Sequence, residues 1–108
     1  MPEARLLVVD DEPNIVELLS ASLRFAGFEV ETAAGGLEAV DAARSFRPDL
    51  LVLDVMMPGM DGFELAELMR GTERTRNVPI VFVSAAGREL NYAFKGYEQG
   101  AVDFLYKP

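Results

Sequence analysis

The sequence predicts an α/β fold built on a parallel sheet, and three observations carry that prediction. Short apolar runs recur within Arg5–Asp11, Leu50–Asp54 and Val78–Ser84, the pattern of strands buried on both faces. Helix-spaced segments separate them, so that β-α repeats four times before a last strand, which favours right-handed crossovers. The connections are short and no repeat, low-complexity tract or linker interrupts the 108 residues, enough for one domain with one core.

The first run, Arg5-Leu6-Leu7-Val8-Val9, ends in Asp10-Asp11. Glu12-Pro13-Asn14 then opens a helix, with Asn14 as cap or first-turn residue. Ile15, Leu18, Leu19, Leu23 and Ala26 keep helical spacing, and Gly27 is placed to end that helix. Phe28 to Thr32 alternates apolar and polar, as an edge strand does. Gly35-Gly36 breaks the chain before a weaker helix through Leu37, Val40, Ala43 and Arg44, closed by the turn before Pro48. Leu50-Leu51-Val52-Leu53 is the strongest strand, and it stops at a single carboxylate, Asp54.

Pro58-Gly59 and Asp61-Gly62 mark a loop after Asp54, and Phe63 to Met69 forms an amphipathic helix. Gly71 to Asn77 is a polar connector. Val78 to Ser84 reads as a buried strand with its proline near the start. A helix over Arg88–Gln99, ended by Gly100, and a short strand over Asp103–Pro108 complete the chain.

Composition excludes several function classes. Half the residues are hydrophobic, 26% are charged and the net charge is −8, which argues against nucleic acid or an anionic membrane as a partner of this domain. The chain has no Cys and no His, so disulfides, thiolate or imidazole metal sites and Ser-His catalysis are absent. No apolar run approaches membrane-spanning length and no signal-peptide pattern opens the chain, so a cytoplasmic location is expected.

The chemistry comes from the strand ends. Strand one ends in Asp10-Asp11, strand three in Asp54, strand four in Ser84 and strand five in Lys107. A parallel sheet brings its C-terminal strand ends to one edge, where open α/β sheets bind ligands. Carboxylates held together there repel one another unless a cation sits among them. An all-oxygen donor set calls for a hard ion, Mg²⁺ most naturally. Ser84 adds a hydroxyl donor and Lys107 a compact cation, which makes a site for a phosphoryl group with Asp54 as nucleophile.

Taken singly, each residue has an ordinary structural reading. Asp10 and Asp11 could sit in a solvated turn, Asp54 could cap a turn, Lys107 could be a surface lysine and Phe104 a core ring. Met56, Met57 and Met60 read as packing and loop residues rather than ligands. Their joint placement, each polar group ending its own strand, favours the functional reading.

Val8-Val9-Asp10-Asp11-Glu12, Leu53-Asp54-Val55-Met56-Met57-Pro58-Gly59-Met60-Asp61-Gly62, Val83-Ser84-Ala85 and Gly100 to Pro108 together resemble the receiver domain of two-component response regulators. The resemblance runs from Arg5 to Pro108 and implies one receiver domain over residues 1–108. It implies a flavodoxin-like, doubly wound five-stranded sheet of order 2-1-3-4-5, the strand order of chemotaxis receivers. It further implies that Asp54 accepts a phosphoryl group from a histidine kinase or phosphotransfer protein, and that the chain catalyses only its own phosphorylation and dephosphorylation. Asp11, Asp54 and the Met56 carbonyl would bind Mg²⁺, with Asp10 helping through water. Ser84 and Lys107 would hold phosphate oxygens, with Ser84 and Phe104 as the switch pair and an output domain or self-association as the readout.

Three departures from the family pattern stand out. No fifth helix follows Lys107-Pro108, so the chain is expected to end short of it, with the face carrying the first helix partly covered. The Lys-Pro bond, usually cis in the family, falls at the last residue. Phe stands at 104 where Tyr is common, so no hydroxyl is available there.

Two other function classes bear on the same residues. A phosphatase working through an aspartyl-phosphate needs a second acid two residues after the nucleophile, and Met56 stands there. A phosphorylation-independent scaffold is expected to lack one of Asp11, Asp54 or Lys107, and all are present.

Overall fold

The structure is a computed structural model that describes residues 3–84 and 101–106, with Ser84 and the final segment given by their backbone alone. In chain order the elements are β1 (Arg5–Val9), α1 (Pro13–Phe25), β2 (Glu29–Ala33), α2 (Gly36–Phe46), β3 (Leu50–Asp54), α3 (Gly62–Arg70), β4 (Ile80–Ser84) and β5 (Ala101–Tyr106). The strands form one five-stranded sheet in the order β2-β1-β3-β4-β5, as expected. Every pairing is parallel, with Val9 opposite Leu53 and Asp54 opposite Val83. The helix expected over Arg88–Gln99 lies outside the described residues.

Alternation along the central strands divides the core into two. Leu7, Val9, Leu51 and Leu53 join Ala39 and Ala43 of α2 and Phe63, Leu65, Ala66 and Met69 of α3. Leu6, Val8 and Val52 point to the other face, where Leu19 and Leu23 of α1 pack on them. Burying a leucine or phenylalanine contributes about 1.5–3 kcal/mol, so the paired apolar runs anchor the sheet.

Several element boundaries differ from the sequence reading. Gly27, at φ 104°, ends α1, and Phe28 N–H donates to the Leu23 carbonyl, which keeps Phe28 in the helix turn. The strand therefore starts at Glu29. Gly36 is helical rather than a breaker, and the buried stripe of α2 is Gly36, Ala39, Ala43 and Phe46. Leu37, read from the sequence as part of that stripe, stands one residue off it and is 79% exposed. Leu18 of α1 is half-exposed for the same reason.

Strand β4 starts at Ile80, because Val78 N–H is taken by the Thr75 carbonyl in a turn. The last strand begins at Ala101, two residues ahead of the expected Asp103, since Ile80 pairs with Ala101 across a register shift. In the α3–β4 connector Arg70 donates from one guanidinium nitrogen to the carbonyls of Thr75, Arg76 and Val78, the last at 2.7 Å. Burial lowers the Arg70 pKa, yet a guanidinium stays protonated in proteins.

Candidate functional site

Three of the sequence-identified residues meet at the C-terminal edge of the sheet. β1 and β3 are neighbours in register, so the residues that follow Val9 and Leu53 emerge side by side. Asp10, Asp11 and Asp54 each offer a carboxylate oxygen, and these oxygens all lie within 4.8 Å of one another. Asp10 and Asp54 are each 1% exposed, whereas Asp11 reaches solvent. At such separations like charges repel by a few kcal/mol per pair, on the order expected for partly screened groups.

Local backbone geometry holds the two buried acids. Asp10 N–H donates to the Ala33 carbonyl of β2, and the Asp10 Oδ1 accepts from Glu12 N–H at 2.9 Å. That turn leads into α1, with Pro13 in its first turn, where a missing N–H costs nothing. Asp54 ends β3, and Val55 N–H continues the ladder to the Val83 carbonyl at 3.0 Å. Asp54 is thus held at the end of the central strand, between β1 and β4.

The loop after Asp54 closes on itself. Gly62 N–H donates to the Val55 carbonyl at 2.9 Å, and Gly59 turns the chain at φ 80°. Asp61 caps α3 by accepting from Glu64 N–H at 2.8 Å, while the Glu64 carboxylate accepts from Asp61 N–H. This reciprocal box extends α3 by one residue at its start beyond the expected Phe63. Met57 is buried and Met60 packs on the core, as their packing role required, while Met56 is exposed beside Asp11.

Of the remaining site residues, Ser84 ends β4 and pairs with Tyr106, and Phe104 pairs with Phe82, two residues before Ser84. Lys107 lies outside the described residues. Among the described residues the donor set at the edge is three carboxylates, two of them buried and the third open to the recess lined by Met56 and Asp61. These residues fit a hard divalent cation such as Mg²⁺.

Sequence reasoning missed two supports of this site. Asp61-x-x-Glu64 is a capping-box signal that precedes an apolar helix, and it was legible. The close approach of Gly62 to the end of β3 carried no sequence signal beyond the Asp-Gly turn.

A family model described as the response regulator receiver domain matches residues 6–108. The chain is 45% identical over 104 residues to the response regulator MprA of Mycobacterium tuberculosis, covering 96% of this chain and 44% of MprA. It spans less than half the length of the curated relatives it matches. Chemotaxis protein CheY4 of Vibrio cholerae superposes with a TM-score of 0.91 at 37% identity, over 98% of this chain and 88% of that one. Response regulator protein TrrA of Thermotoga maritima, solved in complex with Mg(2+)-BeF, matches with a TM-score of 0.83 at 35% identity, over 97% and 87% of the two chains.

Proposed function

Since the chain belongs to the response regulator receiver family of two-component signalling, we propose that it is a phosphorylation switch in which Asp54 is the phosphoacceptor. The observation that supports this reading most is the placement of a buried central-strand carboxylate within 4.8 Å of two more on the neighbouring strand end.

In the proposed reaction a carboxylate oxygen of Asp54 attacks the phosphorus of a phosphohistidine on a histidine kinase or phosphotransfer protein. An O–P bond forms as the N–P bond breaks, and the imidazole nitrogen leaves with the electron pair. Asp10, Asp11, Asp54 and the Met56 carbonyl would hold Mg²⁺, which supplies charge neutralisation for the transferring group. Burial of Asp54 at the end of β3 orients its carboxylate and limits water around it. Ser84 and Lys107 would bind the phosphoryl oxygens.

Two features favour a switch over an enzyme that turns over external phosphoesters. Met56, two residues after Asp54, is an exposed thioether that cannot protonate a leaving group. Ser84 and Phe104 stand on paired strands, so a change at one strand end has a short path to the next strand. A new hydrogen bond from Ser84 to a charged oxygen is worth about 1.5–3 kcal/mol, and burial of the Phe104 ring about as much. The readout would be an output domain or self-association.

Treatment with phosphoramidate, a small donor with the same N–P bond, tests the proposal. Intact-mass measurement is expected to show one added phosphoryl group in Mg²⁺ and none with a chelator. Metal-independent or multiple labelling would overturn it.

A further inference from the structure

Helices α2 and α3 cover the same sheet face, and between their outer surfaces runs an open groove of about 710 Å³ lined by Leu37, Gly59, Met60, Glu64, Glu67 and Leu68. Leu37 is 79% and Leu68 43% exposed, so two large apolar side chains face one concavity rather than standing singly. The core has no use for Leu37, since the buried stripe of α2 passes through Gly36, Ala39 and Ala43. The groove is open rather than enclosed, a shape that takes one face of a helix rather than a small molecule.

The walls carry one sign of charge. Glu64 and Glu67 line α3, and the exposed Asp41 lies one helical turn beyond Leu37 on α2. Among the described residues no Lys or Arg lines the groove. From this combination we infer that the groove docks a basic amphipathic helix of a partner protein. Its apolar residues, spaced three and four apart, enter between Leu37 and Leu68, and its Lys or Arg side chains meet Glu64, Glu67 and Asp41. A second copy of the chain is a poor occupant. A two-fold contact through this groove would set the same acids of each copy against one another, in a chain of net charge −8. The groove adjoins the recess beside Asp11, sharing Gly59 and Glu64 with it, but the inference does not rest on Asp54 accepting a phosphoryl group.

The test is an NMR titration of the ¹⁵N-labelled chain with a helical peptide of about 18 residues, five turns, carrying Leu on one face and Lys on the other. A counterpart with Glu in place of Lys is the control. Shifts are expected to centre on Leu37, Met60, Glu67 and Leu68 with the Lys peptide and to be absent with the Glu peptide. Leu37→Ser with Leu68→Ser removes two anchors and is expected to weaken binding about tenfold or more, with the circular dichroism unchanged because both residues are exposed. Glu67→Lys is expected to weaken it as well. Shifts centred on α1, an equal response to the Glu peptide or undiminished affinity in the double variant would overturn the inference. Concentration-dependent shifts at the groove without peptide would also overturn it, by assigning the surface to a second copy.

Discussion

Gly62, the first residue of α3, lies so close to the end of β3 that a Cβ on it would overlap the Asp54 carbonyl oxygen and stand 2.9 Å from the carbonyl carbon. Both obstructions are backbone, and the Gly62 N–H is tied to the Val55 carbonyl next to them. The helix start and the backbone of Asp54 therefore share one rigid contact.

Gly62→Ala is expected to push α3 away from β3 or twist the Asp54 peptide. Overpacking of this kind costs about 1–3 kcal/mol, and the strain falls on the residue that positions the carboxylate. Urea unfolding is expected to show the loss, and phosphoramidate labelling is expected to slow. Unchanged stability and rate would mean that the loop yields more readily than its backbone contacts imply.

Asp61→Ala tests the capping box separately from the site. Loss of an N-cap carboxylate costs about 1 kcal/mol of stability. Its side chain serves Glu64 N–H, so labelling of Asp54 in Mg²⁺ is expected to continue. A loss of labelling out of proportion to stability would give Asp61 a role in the chemistry.

Asp10 and Asp11 differ in what the fold asks of them. Asp10 is buried and accepts from Glu12 N–H, so Asp10→Ala strands a turn donor and is expected to cost about 0.5–1.5 kcal/mol. Asp11 reaches solvent beside two other carboxylates, so Asp11→Ala is expected to relieve repulsion. Metal-free stability of that variant should stay level or rise while Mg²⁺ affinity falls, readable by calorimetric titration and urea unfolding. A clear drop in metal-free stability would show that Asp11 is structurally paired instead.

The sheet and the acid cluster were legible in the sequence for a physical reason. A strand buried on both faces leaves an unbroken apolar run, and a carboxylate at its end marks the edge where solvent and ligands begin, as in Leu50 to Asp54. Strand boundaries were less legible because pairing partners decide them. Phe28 is held by the α1 turn and Ala101 by Ile80, neither of which local pattern reveals. Leu37 misled because hydrophobicity alone does not say which of two neighbouring residues faces the core. A one-residue step turns a helical side chain by about 100°. The Gly62 contact was illegible because it joins segments brought together only by the closed loop.

Ser84→Ala tests the proposed switch. Phosphoryl transfer is expected to persist, carried by Asp54 and Mg²⁺, while backbone shifts along β5 from Ala101 to Tyr106 shrink on phosphorylation. Phe104→Tyr is expected to be tolerated. A full β5 response in Ser84→Ala would remove Ser84 from the coupling.

The central claim, that Asp54 is the phosphoacceptor, is tested most directly by locating the added group. Tandem mass spectrometry of the phosphoramidate-treated chain is expected to place it on Asp54, and Asp54→Asn is expected to abolish labelling while Asp61→Ala does not. Label on Asp10, Asp11 or Asp61 of the unaltered chain, or undiminished labelling of Asp54→Asn, would contradict the claim.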